Sequence, residues 1–145
     1  MELPFGEDIG HYWKTSQTSP DVWLRRTTDL IISIGGYVRA MHTGLEPMTG
    51  RAAFLIVFEI DGDRYKIIWP ALPVRSRKDE HAAMIQAATF LYHDTKSKCM
   101  KSLVFGIREA FFSYLLLPDG RTASQASLPE LTEGIPKLFL ELGES

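Results

Sequence analysis

The chain has 145 residues, 45% apolar and 23% charged: enough for one domain with a core, and too ordinary for a disordered chain. Sixteen basic residues against 18 acidic ones leave a formal charge of −2, so any phosphate-binding surface must come from local clustering. Cys99 is the single cysteine, which excludes an internal disulfide framework and a thiolate zinc site.

Residues 1–18, with Pro4, Gly6 and Gly10, read as a polar arm able to add an edge strand, ahead of a single α+β domain over 19–145. The start MELPFGEDIGHYW is acidic and lacks the apolar stretch of a signal peptide. No apolar run reaches the ~20 residues that span a membrane. A cytoplasmic protein without a membrane partner is therefore expected.

Ser19-Pro20-Asp21 is a helix start: a capping hydroxyl, a proline for the first turn, and an acid at the positive dipole end. That helix carries Val22, Trp23, Leu24, Leu30, Ile31 and Ile34 and stops at Gly35-Gly36. Residues 37–43 alternate weakly, as a short strand would, and 44–50 form a loop.

The firmest local signal is a hairpin over 52–69, where AAFLIVFEI and RYKIIW flank Asp61-Gly62. With Asp61 and Gly62 as the turn, Phe58 faces Tyr65, Ile56 faces Ile67 and Phe54 faces Trp69, all on one side. Leu55, Val57 and Glu59 then oppose Ile68, Lys66 and Arg64 on the other. A face as apolar as the first is core for Phe54, Ile56, Phe58 and Ile67, while Tyr65 and Trp69, with polar handles, could serve either role.

Pro70 and Pro73 end the second strand. Ser76 opens a long helix over about 77–105, whose positions Met84, Ala87, Ala88, Leu91, Thr95, Cys99 and Leu103 step by three or four. Gly106 breaks it. A shorter helix, IREAFFSYLLL, runs into the turn Pro118-Asp119-Gly120, and Ser127-Leu128-Pro129-Glu130 opens a terminal helix. The expected architecture is a small antiparallel sheet packed against one long helix and shorter ones.

Catalytic constellations are sparse. His11, His42, His81 and His93 have no metal-ligand spacing. Glu59, Asp61 and Asp63 with Lys66 could suggest a metal-dependent nuclease, but the two residues between Asp63 and Lys66 put them on opposite sides of a strand. Asp61 and Asp63 also suit a turn. Cys99, in mid-helix, reads as a buried thiol. No phosphate-cradling glycine motif occurs, and no cofactor or enzymatic activity is expected.

The charge map is more informative. Arg64, Lys66, Arg75, Arg77 and Lys78 are five bases in a stretch with no acid, whereas from Asp119 onward five acids face two bases. Basic groups beside aromatic strands suit a single-stranded nucleic acid, with phosphates on the cations and bases on the rings.

The order of features resembles the ThermoDBP-type single-stranded DNA-binding proteins and their relatives in phage and plasmid genomes. The stretches that carry the resemblance are DLIISIGGYV (29–38), FLIVFEIDGDRYKIIWP (54–70), the long helix running on to LPDGRT (77–122), and EGIPKLFLELG (133–143). It implies sequence-tolerant binding of single strands by a non-enzymatic protein. It places Tyr65, Lys66, Trp69, Arg75, Arg77 and Lys78 at the site: Arg75, Arg77 and Lys78 on phosphates, Tyr65 and Trp69 on bases. Single-stranded nucleic acid is the expected partner, and a homodimer a further expectation. The alternative is a protein–protein assembly module docking through a hairpin edge or the segment PKLFLEL. A metal-dependent nuclease ranks last.

Overall fold

The computed structural model describes residues 2–47 and 49–127. Helix α1 spans Gly6–Ile9 and α2 spans Pro20–Ser33; strands β1, β2 and β3 span Tyr37–Leu45, Ala52–Ile60 and Asp63–Pro70. A 3-10 turn at Arg77–Asp79 leads into α3, Glu80–Phe105, followed by α4, Ile107–Ala110, and a second 3-10 turn at Phe112–Tyr114. The α+β architecture is the expected one.

Local chemistry accounts for the boundaries of α2. The Ser19 hydroxyl accepts from the Val22 amide at 3.4 Å, with Pro20 in the first turn. At the other end Gly35 adopts φ +92° and the Gly36 amide donates to the Ile31 carbonyl at 2.9 Å. The hairpin also forms in the expected register: Phe58 opposite Tyr65, Ile56 opposite Ile67, Phe54 opposite Trp69. Asp61 and Gly62 have φ of +53° and +82°, the left-handed pair that matches the twist of a two-residue hairpin turn.

The hairpin does not stand alone. The sheet order is β1-β2-β3, so β2 is central and β1 is an edge. β1 is longer than the stretch 37–43 expected, running antiparallel to β2 from Tyr37 opposite Glu59 to Leu45 opposite Ala52, with a bulge between Val38 and Ala40. Helices α2 and α3 cover one side of the sheet. There Phe54, Ile56, Phe58, Tyr65 and Ile67 are buried with Leu24, Ile31, Ala88 and Leu91, each large side chain contributing about 1.5–3 kcal/mol of transfer free energy.

Helix α3 buries Ala83, Ala87, Ala88, Leu91, Thr95 and Cys99. Leu103, expected in this stripe, is instead 83% exposed, with Met100, Val104 and Phe105 beside it. At 1.5 Å per residue the 26-residue helix is about 39 Å long, against about 30 Å for the nine-residue strand it crosses. The last turns of α3 thus leave four apolar side chains exposed. Ser76, expected to cap it, makes no side-chain capping bond, because the 3-10 turn intervenes.

The segment 107–117 is not the continuous helix its composition suggests. It breaks after α4, and Leu115 and Leu116 run extended beside β3, with Leu115 bridged to Tyr65 and the Leu116 amide on the Arg64 carbonyl at 2.7 Å. Backbone groups along β3 would otherwise lack partners. The break also lets Phe111 pack edge-on to Phe58, with ring centroids 5.6 Å apart. Beyond the Pro118–Gly120 turn, Thr122 and Gln125 cap each other reciprocally at 2.9 and 3.2 Å. Residues 123–127 are already helical, so Ser127 does not open a helix as expected: it lies in a turn that starts at Thr122, its hydroxyl donating to the Ser124 carbonyl at 3.1 Å. Residues from 128 on, the segment 133–143 included, lie outside the described residues.

Tyr114 fastens this segment to α3: its hydroxyl donates to Asp94 at 2.9 Å, and Lys98 binds the same carboxylate at 2.7 Å. Burial, with Asp94 beside it, holds the Tyr114 hydroxyl protonated well above the usual tyrosine range. Tyr114→Phe is expected to cost about 1–2 kcal/mol in urea melts, with Asp94 keeping its lysine.

The arm adds no strand. Gly6 packs against α3 so closely that a Cβ would meet the Gln86 Oε1 at 2.8 Å and the Trp13 ring at 3.1 Å. The buried Gln86 donates from Nε2 to the Gly6 carbonyl at 2.9 Å and the His11 carbonyl at 3.0 Å. A side-chain amide thus takes the hydrogen bonds that a sheet edge would have taken.

Candidate nucleic-acid interface

The six residues expected to form one site fall in separate places. Tyr65 is 1% exposed, stacked on Phe58 at 5.2 Å and edge-on to Phe111 at 6.1 Å. It is a core residue, and its expected stacking on a base is corrected: Leu115, bridged across it, and Phe111 complete its enclosure. Trp69 is half-buried on the same side, lining an apolar hollow of about 460 Å³ with Leu3, Phe90 and Arg51.

Arg75 is exposed but committed. Its guanidinium holds Asp8 at 2.6 Å and Glu7 at 3.3 Å and lies over the Phe5 ring at 4.3 Å. The arm therefore occupies the cation expected to hold a phosphate. Arg77 and Lys78 are exposed on the 3-10 turn, where Lys14 pairs with Asp79 at 2.8 Å.

The Arg75 guanidinium, chiefly by hydrogen bonding, holds the Asp8 carboxyl below its ordinary value of 3.8. A carboxyl lowered in the folded state contributes stability fully present above its unfolded value and lost as pH falls through the folded one. The arm is thus expected to loosen below about pH 4, seen as faster amide exchange over residues 2–18. In Arg75→Ala that acid dependence should flatten.

Lys66 lies on the opposite side of β3, on the sheet face that no described helix covers. Alternation places Leu55, Val57 and Glu59 of β2 there with Arg64, Lys66 and Ile68 of β3, and the β1 register adds Tyr37, Ala40 and His42. Glu59 binds two guanidinium groups, Arg64 at 2.6 Å and Arg39 at 2.9 Å. Those bonds hold its carboxyl below the usual range, that to Arg39 first. Arg39 also lies 5.2 Å over the Tyr37 ring.

Lys66 has no carboxylate partner among the described residues. The three cations Arg39, Arg64 and Lys66 thus face two carboxylates, Glu59 and the Glu46 that lines the hollow beside Lys66, leaving one positive charge. Beside Lys66 a largely apolar hollow of about 230 Å³ is lined by His42, Leu55, Ile68 and Glu46, whose carboxylate accepts from the Thr49 amide at 3.0 Å, and Tyr37 stands 64% exposed at the opposite end of β1. Cations, an apolar floor and two rings therefore share one open surface.

No family model, curated protein or solved structure matches this chain. The likeness to the ThermoDBP type rests on the quoted residues alone.

The remaining candidate chemistry disperses. Asp63 is held by Arg108 at 2.9 Å and Glu59 by its two arginines, so two of the three carboxylates of the nuclease reading are engaged by cations, and Asp61 is a turn residue of the hairpin. No three His, Cys, Asp or Glu side chains among the described residues converge as metal ligands. His93 is exposed and stacks on Tyr12 at 5.0 Å. Cys99 is buried, and burial pushes its thiol upward. Among the described residues no helix is long and apolar enough to cross a membrane.

Tyr37, Arg39 and His42 were the residues sequence reasoning missed. Their signal was the alternation of Tyr37, Arg39 and Met41 against Val38, Ala40 and His42. The bulge at Arg39 shifts that pattern halfway, so the face could not be assigned without the register.

Proposed function

We propose that the chain is a non-enzymatic binder of single-stranded nucleic acid, and that the open face of the sheet, rather than the β3 exit, is its surface. The observation that supports this reading best is the concentration of Arg39, Arg64 and Lys66 around an apolar floor, three cations against the two carboxylates Glu59 and Glu46. Phosphates would lie along the cations. A base would enter the hollow beside Lys66 and stack on His42, with Tyr37 taking another farther along the strand. Stacking of that kind contributes about 1–3 kcal/mol per base without reading sequence.

Of the residues first assigned to the site, this reading keeps Lys66. It assigns Tyr65 to the core and Arg75 to the arm, and leaves Trp69, Arg77 and Lys78 outside the contact. Fluorescence anisotropy of a labelled oligo-dT tests it. Binding should weaken steeply with salt as condensed counterions are released. Affinity no tighter than the ~10⁻⁴ M non-specific range at physiological salt would reject it.

A further inference from the structure

We infer that the chain pairs with a second copy of itself, β1 edge to β1 edge, with the outward side of α2 completing the contact. This goes beyond nucleic-acid binding and does not depend on it.

Among the described residues β1 is the sheet edge free along its whole length, whereas the edge at β3 is bridged at Arg64 and Tyr65. β3 is flanked by Leu115 and Leu116, whereas β1, nine residues long, pairs only with β2 among the described residues. Edge strands of proteins that stay monomeric are blunted by lysine, proline or an inward charge. The stretch Ala40-Met41-His42-Thr43-Gly44-Leu45 has none of these; the bulge and the charge at Arg39 guard only its beginning. Met41 and Leu45, on the helix side, are 41% and 73% exposed.

An antiparallel edge is self-complementary. A two-fold axis through its middle runs the strand antiparallel to its own copy and closes the assembly at two chains. Centred near His42, it would set Met41 against the partner subunit's Thr43.

Charge on α2 argues for a second copy over any other occupant. α2 packs beneath β1 and beside α3. Trp23 marks its α3 side, meeting Tyr92 at 5.2 Å. On the side turned away, Asp21, Arg25, Asp29 and Ile32 follow one another at steps of four, four and three, all exposed. None of the three charged residues has an ion-pair partner among the described residues.

Two copies of α2 brought together antiparallel by the same axis put Arg25 against the partner subunit's Asp29, twice over. A surface that carries its own complement in reverse order fits itself. The paired sheets then form one six-stranded face, with Lys66 of each copy on the same side.

Sedimentation velocity on the full chain tests this. The wild type should be a dimer at about 50 µM. Thr43→Lys should give a monomer with unchanged circular dichroism. Because a strand substitution could unfold the chain, a charge pair supplies the second test. Arg25→Asp should weaken the dimer about tenfold or more, and adding Asp29→Arg should restore it.

Leu103→Ser, at the exposed end of α3, should leave the dimer intact. A wild type monomeric at that concentration, a dimer indifferent to both edge and charge variants, or a monomer produced by Leu103→Ser would each overturn the inference. Oligo-dT binding on the same samples separates the two proposals. A monomer that binds refutes only the dimer, and a dimer that does not bind refutes only the nucleic-acid reading.

Discussion

Tyr65→Ala is expected to destabilise the protein by about 3–5 kcal/mol, the range for deleting a fully buried aromatic ring. Tyr65 is 1% exposed, stacked on Phe58 and edge-on to Phe111, and nothing nearby can collapse to fill its place without moving the β3–Leu115 bridge. Tyr65→Phe keeps the ring and should change stability by less than about 1 kcal/mol. It should also leave oligo-dT affinity unchanged. Chemical melts with a parallel binding titration separate the two roles, since a base-stacking tyrosine would give the reverse pattern: stable variants and weak binding.

Gln86→Leu should have the second largest effect, because one buried side chain holds the arm at two points. Leucine removes both donors and leaves the Gly6 and His11 carbonyls facing an apolar group, at about 1–3 kcal/mol for each buried acceptor left unpaired. The arm can lift and recover water for those carbonyls, which caps the global loss. The clearer readout is local: residues 2–18 should become protease-sensitive and exchange rapidly while the sheet amides stay protected. Gly6→Ala should act the same way from the opposite side, through its 2.8 Å approach to Gln86. If the arm stayed protected in both variants, the amide clamp would not be what holds it.

The elements read most faithfully from sequence were those fixed by neighbouring residues. Ser19-Pro20 and Gly35-Gly36 delimit α2, and Asp61-Gly62 sets the hairpin register, because caps and two-residue turns depend only on local backbone chemistry. Errors arose where a distant partner decides. The stretch 107–117 has helical composition, yet the unpaired edge of β3 draws Leu115 and Leu116 out of it. Leu103 keeps the helical period of the buried stripe but is 83% exposed, because periodicity does not say how far along a helix its tertiary partners extend. The Thr122–Gln125 capping pair was legible as the pattern Thr-x-x-Gln, and lost to the more conspicuous Ser-Leu-Pro-Glu that follows.

The candidate site was half legible. Alternation alone placed Lys66 and Arg64 opposite Val57 and Glu59, which the register bears out. What could not be read was which cations were already taken. Arg75 looks uncompensated along the chain, because its carboxylates lie nearly seventy residues earlier, at Glu7 and Asp8. A run of bases in sequence is therefore a poor guide to free charge.

Charge reversal at two positions tests the central claim most directly. Lys66→Glu, on the open face, is expected to weaken oligo-dT binding at least tenfold and to reduce the slope of log affinity against log salt by about one. Arg77→Glu, on the 3-10 turn away from that face, should change affinity little. Both sites are partly or fully exposed, so neither variant should alter the fold. Strong loss from Arg77→Glu with near-normal binding by Lys66→Glu would contradict the open-face site and return it to the exit of β3.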